Sequence, residues 1–445
     1  MLLSMTDKAT ARDSLALYGG SPVRDLERSW PRWPAPTAEA DRRILSVLHG
    51  DRWALTSPVS GTPLAEREFA RKFAAYTHTR HCVPVDHGSS ALVIALESLG
   101  LAHGDRVLVP SLTWVASASA ALRAGLVPVL VDVDPVTGCM SPADLDLTVG
   151  ARAAVVVHWS CAMADVPAIM SAAGPHGISI VEDCAQAHGA QWLGQPAGSI
   201  GRLGCFSMQQ GKVLTCGEGG AVVTSDDSLA LVLEELRADS RCYRADAGRP
   251  GESELAETAT TMGANFCLSE FHAAVLCAQL DVLDQQHEVR AANYAALGHF
   301  IEGIPGVRLL RPASEQNRMS IYELPIIFDP LPGRMTAAEI GAALTAELGK
   351  PFYLTDAPLH RSPLFQPWTK RALTPLAEEF QAYHADRQFP NADYFYDHAV
   401  VTHHSTLLAQ ERDMADIAAA VAKVAALGDR QAASAAACGH RRLAA

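Results

Sequence analysis

The sequence predicts an α/β protein: a large lobe built on a mostly parallel sheet, followed by a smaller C-terminal α+β lobe. Three observations lead there. Short β-branched runs alternate with longer helical patterns between Arg106 and Thr224, the signature of repeated βαβ units. Gly and Pro punctuation is dense until about residue 225 and then yields to helical sequence. Finally, 445 residues with 49% hydrophobic content suffice for a large core and two packed lobes.

The elements follow in order. Residues 1–14 mix charges with small polar side chains, lack an apolar core of signal-peptide length, and read as a disordered N-terminus. Residues 15–290 are assigned to the large lobe. Its strands are read at Arg106–Val109, Pro128–Val133, Ala153–His158, Ile178–Glu182, Gly204–Ser207 and Ala221–Thr224, with a helix over Ala91–Leu99. Helical runs at Glu270–Leu283 and Gln286–Phe300 lead into the small lobe, residues 291–430. That lobe shows a strand at Ile321–Asp329 and amphipathic helices at Ala337–Glu347 and Arg412–Leu427. Residues 431–445, rich in alanine and ending in a small basic cluster, read as a flexible tail.

Composition excludes several function classes. With 49 acidic residues against 36 basic ones, a net charge of −13 and no long basic block, nucleic acid and anionic membrane surfaces are not expected partners. Apolar runs such as Ala153–Val157 are strand-sized, far short of the ~20 residues of a membrane helix. Ten cysteines are scattered without a C-x-x-C pair, so a reduced, cytoplasmic protein without a bound metal is expected. Cys184, Cys205 and Cys216 read as small apolar side chains.

Chemistry concentrates in four segments. Lys212 lies between the strand-like run ending at Ser207 and the turn Gly217-Glu-Gly-Gly220. Taking an ammonium out of water costs several kcal/mol unless it is paired or its charge is removed; imine formation with a cofactor aldehyde removes it. The plainer alternative is a surface lysine in a turn. His87-Gly-Ser89-Ser90 opens a helix, and unpaired amides, hydroxyls and the helix dipole there favour a dianionic phosphate; simple N-capping by either serine is compatible with this. Trp114 follows the strand Arg106–Val109 and can stack on a planar ring, worth about 0.5–1.5 kcal/mol beyond area burial, although a core role is the ordinary one. Asp183, at the carboxyl end of an apolar strand, can hold a pyridine nitrogen protonated and make the ring an electron sink; helix capping is the alternative. Gln186 is placed for the ring's phenolic oxygen, and Ser207 adds a phosphate hydroxyl. His188 reads as a packed core histidine. In this order the residues describe a site for pyridoxal 5′-phosphate (PLP) and its pyridoxamine form.

The chain resembles the DegT/DnrJ/EryC1/StrS aminotransferases, PLP-dependent enzymes of fold type I (aspartate aminotransferase-like) that act on sugars and cyclitols. The resemblance runs from Leu17-Tyr-Gly-Gly-Ser-Pro-Val-Arg24 to about residue 425. Ser207-Met-Gln-Gln-Gly-Lys-Val-Leu-Thr215 and His403-His-Ser-Thr-Leu-Leu408 are most similar to the L-glutamine:scyllo-inosose aminotransferases within it. The resemblance implies that Lys212 is the Schiff-base lysine, Asp183 the pyridine-nitrogen partner, Gln186 the phenolate contact and Trp114 the stacking aromatic. Ser89, Ser90 and Ser207 are implied phosphate contacts. Asn265 matches the asparagine that reaches the cofactor phosphate of a neighbouring subunit, implying a homodimer with shared active sites. Arg52-Trp53 and Leu359-His360-Arg361-Ser362 align with places that meet substrate. Cys267 stands where arginine is common and Cys216 where serine or alanine is frequent, which touches the substrate environment and no catalytic group.

The implied activity is transfer of an amino group from L-glutamine, or glutamate, to a keto-cyclitol such as scyllo-inosose or 2-deoxy-scyllo-inosose. Three alternatives stand beside it: a nucleotide-linked keto-sugar as acceptor, a noncatalytic role as partner of another enzyme, and a dehydratase reaction. The last rests on similarity to 3-amino-5-hydroxybenzoate synthases around Gly263-Ala-Asn-Phe266 and Thr402-His-His404.

Overall fold

A computed structural model describes residues 14–442 apart from residue 62, residues 245–248 and residues 333–334, with no side-chain placement beyond 427. A central seven-stranded sheet is formed by β1 (His81–Val85), β2 (Arg106–Pro110), β3 (Val127–Val131), β4 (Ala153–Val157), β5 (Ser179–Asp183), β6 (Leu203–Ser207) and β7 (Gly220–Thr224). Their order is β1-β7-β6-β5-β4-β2-β3, and β7 alone runs against the other six. Strands β3 and β4 are buried along their whole length, as expected of parallel strands covered on both faces. The expectation of a mostly parallel sheet therefore holds, and β1, which was not read from the sequence, completes one edge.

Parallel pairing has a direct functional consequence, because it brings the carboxyl ends of the strands to one edge of the sheet. Residues after β1, β2, β5 and β6 meet there, and the β6–β7 connection, residues 208–219, crosses the same edge.

The runs expected as separate helices at Glu270–Leu283 and Gln286–Phe300 are one helix, αI (Glu270–Ile301), which starts at a Ser269 N-cap. The expected lobe boundary near residue 290 falls inside this helix. Beyond it lies a four-stranded antiparallel sheet of β8 (Val307–Leu309), β9 (Glu323–Phe328), β10 (Tyr353–Leu354) and β11 (Ala399–His403), ordered β8-β9-β11-β10. The final helix runs from Glu411 to Arg442, so residues 431–442, expected as a flexible tail, continue it. Their alanine content accounts for this, since alanine has the highest helix propensity. The expected disordered N-terminus lies outside the described residues but for Ser14. All nine described cysteines are free, and among the described residues no helix is long and apolar enough to cross a membrane.

Candidate active site

The β6–β7 connection is a fixed pedestal. The amide of Met208 donates to Gly219 O at 2.8 Å and that of Cys216 to Met208 O at 3.1 Å, closing the loop on itself. Val213 and Leu214 are buried beneath it, while Lys212 N donates to Gln209 O at 2.8 Å in the turn that presents the lysine. The Lys212 Nζ lies 4.0 Å from the centre of the Tyr322 ring. Among the described residues it makes no hydrogen bond or ion pair. Burial lowers its pKa from the usual lysine value, against the opposing charges of Asp183, Glu323 and Asp356. A buried amine with a lowered pKa is a competent nucleophile and proton carrier.

Asp183 ends β5 and is buried. Ser117 Oγ donates to its Oδ2 at 2.8 Å and the amide of Ala185 to its Oδ1 at 3.1 Å, and a further bond of 2.8 Å links the Ser117 and Thr113 hydroxyls. Burial raises its pKa despite those two donors and the Lys212 charge, leaving it ready to accept a cationic partner from a ligand. Glu182, one residue earlier, points to the other face of the strand, as alternation requires. Its oxygens take the amides of Gly198, Ile200 and Gly201 and the ring of His158. Glu182 is thereby a structural staple.

Lys212, Asp183, Gln186, Trp114, Ser89 and Ser207 line one cavity of about 360 Å³. Gln186 Oε1 accepts the amide of Ser160 at 2.5 Å, which leaves the amide NH₂ as the end free to donate into the cavity. Trp114 is 50% exposed, so its indole is a wall of the site and not a core side chain. The helix αH (Gly88–Ser98) begins after His87 with no side-chain cap. Ser89 and Ser90 thus sit in its first turn instead of capping it. Ser90 does not line the cavity, and neither does Asn265, which is exposed and accepts the Cys267 amide at 3.2 Å.

Two glycines make room for this arrangement. A Cβ on Gly88 would lie 2.5 Å from Ser207 Cβ, and one on Gly220 would lie 2.5 Å from the backbone of His87. Helix start and strand ends can close into a cup only where no side chain intervenes. The cup, the free amine, the buried acid, the oriented amide and the exposed indole are groups that could hold the phosphate, aldehyde, ring nitrogen, ring oxygen and ring face of PLP.

The other expectations fare differently. Arg52 is buried and donates to Glu254 at 2.7 Å, Arg361 pairs with Asp393 and Asp397, and His360 contacts Asp393. None of these, nor the exposed Trp53, lines the cavity. His188 is buried against Phe206, with ring centroids 5.3 Å apart and neither ring nitrogen hydrogen-bonded; burial, then the Lys212 charge, pull its pKa down to about 3. Tyr322 and Asp356 line the cavity from the chain beyond αI, with Glu323 beside them, and sequence reasoning missed all three. The only available signal was a carboxylate beside a strand, a feature too common to single out.

Comparison with known proteins shows the family. The model of the DegT/DnrJ/EryC1/StrS aminotransferase family matches residues 52–422. The L-glutamine:2-deoxy-scyllo-inosose aminotransferase of Streptoalloteichus tenebrarius is 44% identical over 92% of this chain and 97% of its own length. The L-glutamine:scyllo-inosose aminotransferase of Streptomyces griseus is 41% identical with the same coverage. Among solved structures, 3-amino-5-hydroxybenzoic acid synthase superposes with a TM-score of 0.74 at 29% identity, covering 91% of this chain and 99% of that one.

Proposed function

Because this chain belongs to the DegT/DnrJ/EryC1/StrS aminotransferase family, we propose that it uses PLP to move an amino group from L-glutamine to a keto-cyclitol of the scyllo-inosose class. The observation that carries the reading is the meeting of Lys212 and Asp183 in one cavity, in a chain whose 41–44% identical relatives bear that activity in their names. The dehydratase and nucleotide-sugar alternatives have less support, since the synthase is only 29% identical.

In this reading Lys212 holds the cofactor's carbonyl carbon, Asp183 its ring nitrogen, Gln186 its ring oxygen and Trp114 its ring face. Ser89 and Ser207 hold the phosphate, aided by the first-turn amides of αH, and Ser90, which stands off from the cavity, is left out of the set. Bound PLP supplies an electrophilic carbonyl and a protonated ring that withdraws electrons. The protein's own share is proton handling: Lys212, its pKa lowered by burial, takes the α-proton of the amino donor and later returns a proton on the acceptor side. Asp183, kept buried and oriented by Ser117, holds the ring-nitrogen proton in place throughout. The reading includes a homodimer, with Asn265 reaching the partner's phosphate; its exposure and its position outside its own cavity support that assignment.

The test is a pair of half-reactions. Enzyme aminated with L-glutamine and freed of donor should return to its starting absorption spectrum on addition of scyllo-inosose or its 2-deoxy relative. Recovery with a nucleotide-linked keto-sugar and not with either cyclitol would refute the acceptor assignment.

A further inference from the structure

The charge on the cavity walls is one-sided. Among the described lining residues, the acids are Asp183, Glu218 and Asp356, and Lys212 is the sole lysine or arginine. Lys212 and Asp183 are committed to the cofactor in the reading above, which leaves no arginine or lysine among the described lining residues to meet an anionic acceptor. Asp356 carries the second observation. It lies two residues after β10, in contact with the cavity, and among the described residues its carboxylate has no hydrogen bond and no ion pair. Its neighbour across the wall, Glu323 at the start of β9, is engaged by Tyr353 Oη at 3.3 Å.

We propose that Asp356, with Glu323 beside it, binds the ring hydroxyls of the acceptor and excludes acceptors that carry a diphosphate. The inference rests on the keto-cyclitol reading and adds the residues that enforce it. An ionised carboxylate is an acceptor only, and hydroxyl groups supply the donors it lacks. A diphosphate is also an acceptor only and carries like charge, so facing Asp356 it would leave both groups unsatisfied. Burial and the charge of Asp356 push the Glu323 pKa up to about 8, so near neutrality Glu323 is largely a protonated acid that can donate to a hydroxyl oxygen. Asp356 lines the cavity and offers the acceptor, and Glu323, which stands just behind that lining, is the adjoining donor, together the complement of a polyol edge. Tyr322 supplies the adjoining apolar face.

The experiment compares wild-type holoenzyme with Asp356→Ala, Asp356→Asn and Glu323→Gln, checking each fold by thermal melting. In stopped flow, kcat/KM for scyllo-inosose should fall at least 30-fold in Asp356→Ala, and at least ten-fold more than the L-glutamine half-reaction falls. In saturation-transfer NMR the unreactive polyol scyllo-inositol should contact the wild type and lose that contact in Asp356→Ala; thymidine diphosphate should contact neither. Equal losses in both half-reactions would overturn the proposal and make the acids tuners of Lys212. Retained scyllo-inositol contact in the variant would overturn it as well. A wild type that ignores keto-cyclitols defeats the proposed function instead, and the scyllo-inositol arm still decides the role of Asp356.

Discussion

At the scale of single residues, the proposed function turns on one amine and one acid whose environments push their pKa values in opposite directions. Burial discourages charge on both, so Lys212 goes down and Asp183 goes up. A cofactor with a carbonyl for one and a basic ring nitrogen for the other relieves both costs at once. Lys212→Ala should therefore retain PLP only weakly, and borohydride treatment should leave no mass increment on the peptide spanning residue 212, whereas wild type gains one. A stable increment in the variant would place the covalent link elsewhere. The rate of PLP attachment to wild type should rise with pH as Lys212 loses its proton, with a midpoint below the usual lysine value of about 10.4. A midpoint at or above that value would contradict the lowered pKa.

At the scale of elements, strand ends position the chemistry and glycines permit the approach. Gly88 and Ser207 come from different strand–helix units, and no Cβ fits between them. Gly88→Ala should cost about 1–3 kcal/mol in urea unfolding, the usual range for overpacking, and should raise the Kd for PLP at least ten-fold. Gly174→Ala is the matched control, because a Cβ there meets nothing within 4 Å and its φ of −55° suits any residue; its effect should stay within about 0.5 kcal/mol. Equal effects at the two positions would remove the cup from the argument. The elements themselves were legible because their hydrophobic periods are strong: six sheet strands were read within one or two residues of their observed bounds. The αI helix was split in two because its buried face includes His287, Arg290 and Asn293, polar side chains that interrupt an apolar stripe read from sequence.

At the scale of the whole molecule, chain beyond the long αI helix brings Tyr322 and Asp356, with Glu323 beside them, to a cavity whose proposed cofactor residues come from the strands of the central sheet and the connections that follow them. The proposed homodimer belongs to this scale too. If Asn265 completes a neighbour's site, then Asn265→Ala and Lys212→Ala proteins, each weak alone, should regain activity when co-expressed. One of the two sites in a mixed dimer then holds both native residues. Failure to regain activity despite mixed dimers, seen by native mass spectrometry, would confine each site to one chain.

The sequence by itself determined the family and the parallel sheet, and it singled out Ser89, Trp114, Asp183, Gln186, Ser207 and Lys212, which line one cavity, because they fall at or shortly after strand ends whose local pattern is readable. Only the tertiary structure decided that Trp114 is exposed to the cavity, that Ser90 and Asn265 stand off from it, and that Arg52 and Arg361 are occupied in ion pairs elsewhere. It alone revealed Asp356 beside Lys212, across 144 positions of chain. The reason is physical: local pattern reports periodicity and capping, which are short-range. The charge that a wall presents to a substrate is set by side chains brought together from distant segments, and their pairing is not encoded in spacing.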